Sequence, residues 1–168
     1  TKMKKFNDTI LTVTISIIDL LYRDFPIQRF WVLETIARAP YFAFLSVLHL
    51  RESLGLRTDA HYYLMKEHFA QTLNETEHLI EMEYRGGADR WVDRFFAYHL
   101  VLIYYWILVG YYFIAPVSAY HLNAGIEFHA TETYLNYLWD NQGDAKIAEI
   151  AVDEMNHYIE LIRAMEMV

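Results

Sequence analysis

The stretch NETEHL at residues 74–79 contains a glutamate followed three residues later by a histidine, and the stretch DEMNH at residues 153–157 repeats that spacing. Residues three apart share one face of an α-helix, so in each stretch the carboxylate and the imidazole can reach the same point. Each motif alone is weak, because a chain with this many glutamates and histidines contains about one such spacing by chance. Their order with other acidic residues carries more information.

A lone glutamate precedes each of the two motifs in the chain. The full order is Glu34, Glu75-x-x-His78, Glu127 and Glu154-x-x-His157. This is how a four-helix bundle builds a two-metal carboxylate site from inward-facing side chains. Four carboxylates and two imidazoles suit a pair of iron or manganese ions and leave positions open for oxygen. The order therefore predicts an all-α, ferritin-like bundle with these six residues as metal ligands.

The turns between the motifs support this arrangement. Glu34 and Glu75 lie almost equally far from Gly55, on opposite sides of it. Glu127 and the second Glu-x-x-His motif likewise flank a turn at Asn141-Gln142-Gly143. Two antiparallel helices joined at each turn would hold these ligands at the same height. The choice of Glu127 over Glu132 as the third carboxylate is less certain from spacing alone.

Composition narrows the possible functions. A chain of 168 residues is long enough for one well-buried domain, which we expect to span residues 1–168. The absence of cysteine excludes disulfides, thiolate zinc sites and cysteine nucleophiles. A net charge of −8 without a basic stripe argues against nucleic-acid binding. Few glycines and prolines and many Leu, Ile, Tyr and Phe residues favour a wholly helical chain.

The hydrophobic pattern predicts six helical segments, and Pro40 is expected to kink the second of them or to disturb its local bonding. Their expected ranges are 8–23, 26–53, 58–84, 89–115, 117–140 and 144–167. The pair Gly86-Gly87 is expected to end the third segment.

Two segments raise the question of a membrane. From Phe95 to Tyr120 the chain has no Asp, Glu, Lys or Arg, which makes the fourth segment a transmembrane candidate by length and hydropathy. We favour instead a helix that lies in one leaflet beside the first helix, because both flanking helices must reach one metal site and the segment is rich in tyrosine. A true span and a buried helix of a soluble bundle are the alternatives. The first segment follows three lysines as in a signal peptide, but we favour an amphipathic interfacial helix.

The sequence closely resembles the alternative oxidase superfamily, in its plastid and cyanobacterial branch of plastoquinol terminal oxidases. The resemblance is carried by FWVLETIARAPYFAFLSVLH at residues 30–49, NETEHL, IEFHATETY at residues 126–134 and DEMNH, and it covers nearly the whole chain. It implies a monotopic, homodimeric, membrane-associated protein at a thylakoid or cytoplasmic membrane. The implied activity is the oxidation of two quinols, with plastoquinol the expected substrate, coupled to four-electron reduction of dioxygen to water at a di-iron centre.

The resemblance also implies roles for individual residues. The six ligand candidates would bind two Fe ions, and Tyr134 would be a redox-active tyrosine near them. Four residues match positions near the quinone head group: Arg29, Leu33, Ala130 and Thr133. Asn74 and Asp153 would orient the imidazoles. Plastid relatives carry a transit peptide and an extra segment between the third and fourth ligand helices, and the corresponding stretch from Tyr134 to Asp153 is compact here.

Three other functions fit parts of the pattern. A di-iron quinone-ring hydroxylase would share the ligand order and the lipid substrate. A ferritin-like iron-oxidising bundle would share the ligands, although the Tyr-rich apolar run speaks against it. A metal-free helical membrane protein or scaffold would need neither the metal ligands nor a lipid substrate. Six histidines are expected to be hydrogen-bonded or surface residues: His49, His61, His68, His99, His121 and His129. Asp93 is expected to form a salt bridge with Arg90 and Arg94 at a helix start.

Overall fold

The computed structural model describes residues 2–168, and over this range the chain forms six α-helices and no strand. The predicted fold class is confirmed. The helices are α1 (Lys2–Tyr22), α2 (Pro26–Ser53), α3 (His61–Tyr84), α4 (Trp91–Ile114), α5 (Pro116–Asp140) and α6 (Ala145–Met165).

Four of the helices form a bundle. The most extensive packing joins α5 to α6, and α2 packs closely against α3, so two hairpins supply the four helices. The hairpins meet through contacts of α2 with α5 and of α3 with α6. This pairing is the one predicted from the two turns. At the first turn Gly55 adopts a φ of 73°, a left-handed conformation that glycine adopts without steric cost.

The helices α1 and α4 lie on the outside of this bundle. α1 packs on α5 and α2, whereas α4 packs on α2 and α5. Both leave large apolar side chains exposed. On α1 these include Phe6, Val13, Ile17, Leu20 and Leu21, and on α4 they include Phe95, Leu102, Ile103, Trp106, Ile107 and Ile114. The predicted pair of additional hydrophobic helices is therefore present.

Two helices, α2 and α4, are long and apolar enough to cross a membrane by length and composition. Their environments differ, because 83% of the most apolar window of α2 is buried inside the protein, against 17% for α4. α2 is thus the central core helix, and it runs uninterrupted through Pro40.

The predicted start of the first helix at residue 8 is wrong, since α1 begins at Lys2. The first turns of α1 are anchored to the rest of the protein by Asn7, whose side chain is buried. Asn7 donates to the carbonyl oxygen of Ser118 at 2.8 Å and accepts from the hydroxyl of Tyr111 at 2.7 Å. These partners lie more than a hundred residues away in the chain, so local sequence gave no sign of them.

Other helix ends follow local rules. α3 ends at Tyr84, just before Gly86-Gly87 as predicted; Gly86 has a φ of 83°, and the amide of Gly87 donates to the carbonyl of Met82 at 2.8 Å. Asp144 was expected inside the sixth helix but caps it, accepting from the amide of Ile147 at 3.2 Å. α3 and α4 begin later than expected, at His61 and Trp91.

Candidate metal centre

The bundle brings all six predicted ligand residues together in its interior. They form two groups that share two members, and within each group one ligand atom per residue lies within 4.8 Å of all the others. The first group is Glu34, Glu75, His78 and Glu154, and the second is Glu75, Glu127, Glu154 and His157. The shared residues are the two motif glutamates, one from each hairpin. The arrangement matches two neighbouring cation positions with two carboxylates between them.

All six side chains are buried, yet each presents at least one oxygen or nitrogen without a hydrogen-bond partner. The unpartnered atoms are Glu34 Oε2, both oxygens of Glu75, His78 Nδ1, Glu127 Oε2, both oxygens of Glu154 and His157 Nδ1. Buried polar atoms are rarely left unpaired, because desolvation is costly. The donor set is four hard carboxylates and two imidazoles, which fits iron or manganese. The residues present therefore fit a two-metal site.

The electrostatics of the cluster also reflect crowded negative charge. Burial, together with the neighbouring carboxylates, holds the pKa of Glu75 and of Glu154 well above its usual range. Burial likewise raises the pKa of Glu127 to about 7. Cations bound between these groups would favour their ionised forms.

The two histidines differ. Burial lowers the pKa of His157 to about 4. Burial also acts to lower the pKa of His78, but the neighbouring carboxylates of Glu34 and Asp153 outweigh burial and raise that pKa. Burial acts to raise the pKa of Glu34, but His78 beside it outweighs burial and keeps that pKa below its usual value. Nδ1 of each ring faces the cluster, 2.9 Å from Glu154 Oε1 in His78 and 2.7 Å from Glu75 Oε1 in His157, but neither contact has the geometry of a hydrogen bond.

Asp153 orients one of these imidazoles. Its Oδ2 lies 3.1 Å from His78 Nε2, which leaves Nδ1 of that ring directed to the cluster. Asn74 donates to Asp153 Oδ2 at 3.3 Å, so it is linked to the imidazole of His78 through Asp153. Asn74 thus lies one hydrogen bond further from His78 than Asp153 does, because α3 and α6 bring residues 74 and 153 side by side.

Two tyrosines donate to the lone glutamates. Tyr134 Oη donates to Glu34 Oε1, and Tyr41 Oη donates to Glu127 Oε1 at 2.6 Å. Both phenols are fully buried, and burial with the adjacent carboxylates raises the pKa of each well above its usual value. Sequence reasoning identified Tyr134 and missed Tyr41. The available signal was spacing, since each tyrosine follows a lone glutamate by seven residues.

An apolar cavity of about 130 Å³ reaches Glu34 and Glu154 from outside the bundle. Its lining comes from α1, α2, α4, α5 and α6, and includes Ile15, Leu33, Leu100, Tyr104, His129 and Ala130. Its volume is comparable to that of an engineered apolar cavity of about 150 Å³ that binds benzene. Two of the four residues expected near a quinone ring, Leu33 and Ala130, line it.

The other two, Arg29 and Thr133, form a polar group with His129, which also lines the cavity. Arg29 Nη2 lies 3.3 Å from Thr133 Oγ1 and 3.4 Å from His129 Nε2. The same guanidinium donates to Asp19 Oδ1 of α1 at 2.5 Å. Sequence reasoning missed Asp19 and the cavity role of His129, because both depend on where α1 and α5 meet.

The residues that the sequence did not predict as metal ligands lie outside the cluster. Glu132 is exposed, and the structure brings Glu127 into the cluster instead. The other six histidines are absent from both candidate metal groups over residues 2–168; His68, for example, is buried and bonded to Gln71 and Tyr120. Asp93 pairs with Arg90 at 3.4 Å as expected and also accepts from Tyr22 of α1. Arg94 bonds backbone carbonyls instead.

The sequence model of the alternative oxidase family matches residues 2–165. Ubiquinol oxidase 4, chloroplastic/chromoplastic, from Arabidopsis thaliana is 50% identical over 124 residues, which are 74% of this chain and 35% of that protein. The chain thus spans about a third of the length of that curated relative. No solved structure matches the chain.

Proposed function

Because the chain belongs to the alternative oxidase family, we propose that it is a membrane-associated quinol oxidase that reduces dioxygen to water at a di-iron centre. The observation that carries this proposal is the convergence of unpartnered carboxylate and imidazole atoms from six buried residues beside an apolar cavity. A cluster built for cations and a ring-sized cavity next to it are the two parts that such a reaction needs.

Two iron ions would be held by these six side chains. Glu34 and His78 would bind one ion and Glu127 and His157 the other, with Glu75 and Glu154 shared between them. When bound, the iron pair would exchange electrons and bind dioxygen. Four carboxylates balance the charge of two divalent cations, so the loaded site would be close to neutral in the interior.

The stoichiometry follows from electron counting. Dioxygen takes four electrons and four protons to become two waters, and each quinol gives two electrons and two protons. Two quinols are therefore oxidised to quinones for each dioxygen reduced. The protein supplies binding and orientation and keeps solvent away from the centre.

The apolar cavity would hold the quinol ring. Leu33 and Ala130 would contact its faces, while Arg29, Thr133 and His129 would offer hydrogen bonds to its hydroxyl groups. Because Glu34 and Glu154 line the inner end, a bound ring would lie next to the metal ligands. Plastoquinol is the substrate we propose, and the name of the Arabidopsis relative makes ubiquinol the necessary comparison.

Tyr134 would act beside the iron pair. Its hydroxyl donates to Glu34 and keeps its proton, because burial opposes the phenolate. The phenol could thus deliver one electron and one proton together from Oη during dioxygen reduction. Its ring stacks on Phe30, with centroids 4.4 Å apart, which would fix the position of the hydroxyl.

The membrane face would be formed by α1 and α4, which both carry several exposed apolar side chains and also line the cavity. A lipid-soluble quinol could then pass from the leaflet to the cavity without crossing water. We place these helices in one leaflet and not across the bilayer, since α4 must also pack on α2 and α5. A homodimer is part of the proposal.

The test is oxygen uptake by purified protein in detergent, with plastoquinol and ubiquinol analogues, together with metal analysis. We expect two irons per chain, cyanide-resistant uptake, and quinone as the only organic product. Glu75→Ala should abolish uptake, while Glu77→Ala, an exposed glutamate on the same helix, should keep it. Ring-hydroxylated product would indicate a hydroxylase, and absence of stoichiometric metal would overturn the proposal.

A further inference from the structure

The two lone glutamates and the two tyrosines are related crosswise. Tyr41 follows Glu34 on α2 by seven residues, and Tyr134 follows Glu127 on α5 by the same interval. Residues seven apart lie on one face of a helix. α2 and α5 are in contact, and each tyrosine donates its hydroxyl to the glutamate of the opposite helix.

We propose that Tyr41 is a positioning residue for the second cation position, holding Glu127 as Tyr134 holds Glu34. The proposal rests on the function proposed above, because it assumes that the cluster binds two ions. It adds a second phenol to the centre, one that does not line the apolar cavity. Tyr41 acts through Glu127 and is not assigned contact with substrate or dioxygen.

The hydrogen bond from Tyr41 gives the two carboxylate oxygens of Glu127 different environments. Oε1 of Glu127 accepts from Tyr41 at 2.6 Å, whereas Oε2 has no partner and lies in the cluster. Glu34 has the same division, with Oε1 bonded to Tyr134 and Oε2 unpartnered. A hydrogen bond from a neutral donor to a carboxylate is strong and directional. It would leave Glu127 only one free oxygen to bind a cation.

The ring of Tyr41 is held firmly enough to direct this bond. Its centroid lies 5.9 Å from the ring of His68, 5.9 Å from that of His157 and 6.2 Å from that of Phe44. The residue is fully buried. Glu127 and His157 are the two ligand candidates found only in the second group, and Tyr41 contacts both of them.

The position of Tyr41 separates its role from substrate binding. The apolar cavity reaches Glu34 and Glu154, and neither Tyr41 nor Glu127 is among its lining residues. Loss of the Tyr41 hydroxyl should therefore alter one cation position and leave quinol binding intact. A tyrosine that merely fills the core would change neither position selectively.

The experiment compares three variants that each remove one buried hydroxyl: Tyr41→Phe, Tyr134→Phe and the control Tyr112→Phe. Tyr112 is fully buried, and its hydroxyl bonds to that of Tyr120 and not to a ligand candidate. Each protein is titrated anaerobically with ⁵⁷Fe(II), and the two iron sites are followed by Mössbauer spectroscopy. Oxygen uptake gives kcat and the quinol KM separately.

We expect Tyr41→Phe to weaken binding at one site by about 10- to 100-fold and to alter one Mössbauer doublet. Tyr134→Phe should alter the other doublet, and Tyr112→Phe neither. Tyr41→Phe should lower kcat without changing KM for the quinol. If wild-type protein binds two irons and Tyr41→Phe keeps both affinities and both doublets, this inference is wrong while the proposed function stands.

A wild-type chain that binds no iron would overturn both. If Tyr41→Phe fails to fold, 3-fluorotyrosine introduced at position 41 retains the ring and the hydroxyl and provides the second test. Its more acidic phenol is a stronger donor, so the doublet of the site that contains Glu127 and His157 should shift. An unchanged spectrum would contradict the inference.

Discussion

The helices α2 and α4 are similar in length and hydropathy, and both could cross a membrane by those measures, yet they lie in opposite environments. In α2, 83% of the most apolar window is buried, and in α4 only 17% is. The buried helix carries a buried acidic residue, Glu34, in its first half, while the exposed helix has no charged residue from residue 95 onward. Hydropathy alone therefore does not distinguish the buried helix from the exposed one.

The difference has a physical cause. α2 contacts α3, α4 and α5 along its length, so its apolar side chains form the core, and its one buried carboxylate is acceptable because cations can neutralise the cluster. α4 packs on one side only and leaves an apolar face for which water is a poor solvent. The same composition therefore has two outcomes: one helix contributes to the buried Glu/His cluster, and the other presents an apolar face that we propose contacts lipid.

The largest expected effect comes from the loss of Glu34, the buried carboxylate of α2. Glu34→Ala should lower iron affinity and oxygen uptake by about a hundredfold or more, because one cation position would lose an anionic ligand. Iron titration and oxygen uptake measure this. Iron binding that survives at wild-type affinity would remove Glu34 from the site.

The second effect tests burial directly. Phe44→Ala on α2 removes a fully buried ring that packs on Tyr112 and Tyr120, and should reduce the free energy of unfolding by about 3–5 kcal/mol. Trp106→Ala on α4 removes a side chain that is 64% exposed and should change it by about 0.5 kcal/mol or less. Denaturant unfolding in detergent measures both. Equal losses would contradict the contrast between the two helices.

The third effect concerns the outer face of α4. Ile103→Asp, at a side chain that is 60% exposed, should weaken binding to vesicles by about 10- to 100-fold because an apolar group is replaced by a charge. Cosedimentation with vesicles that contain no anionic lipid measures this binding. The matched control is Val152→Asp on α6, also exposed, which should bind as the wild type does. Vesicle binding that responds equally to both changes would argue against α4 as the lipid face.

The smallest effect is a pH dependence of the metal-free protein. The pKa of Glu127 is raised by burial to about 7, and those of Glu75 and Glu154 are also raised. A carboxyl group with a raised pKa in the folded state stabilises that state at low pH, and the contribution is lost as pH rises through the folded pKa. The melting temperature of metal-free protein should therefore fall by several degrees between pH 5.5 and pH 8. Iron-loaded protein should show a smaller decrease, since bound cations hold these groups ionised in the folded state.

Much of the bundle could be predicted from local pattern. The helix pairing followed from the turns at Gly55 and at residues 141–143, and the end of α3 from Gly86, because these features act over a few residues. The convergence of Glu34 with the three other ligand segments also followed, since antiparallel helices of matched length align their centres. The start of α1 could not be predicted, because it depends on the distant partners of Asn7.

The site shows the same division. Residue order alone identified the six side chains that converge, because helical spacing is a property of the chain itself. The hydrogen bond from Tyr41 to Glu127, the bond from Asp153 to His78, and the guanidinium that links Asp19 to Thr133 were decided only by the tertiary structure. Each joins residues on different helices, and the contact exists only when packing sets the distance and rotation of those helices. Local sequence therefore specified which groups enter the interior, and packing decided which of their atoms meet.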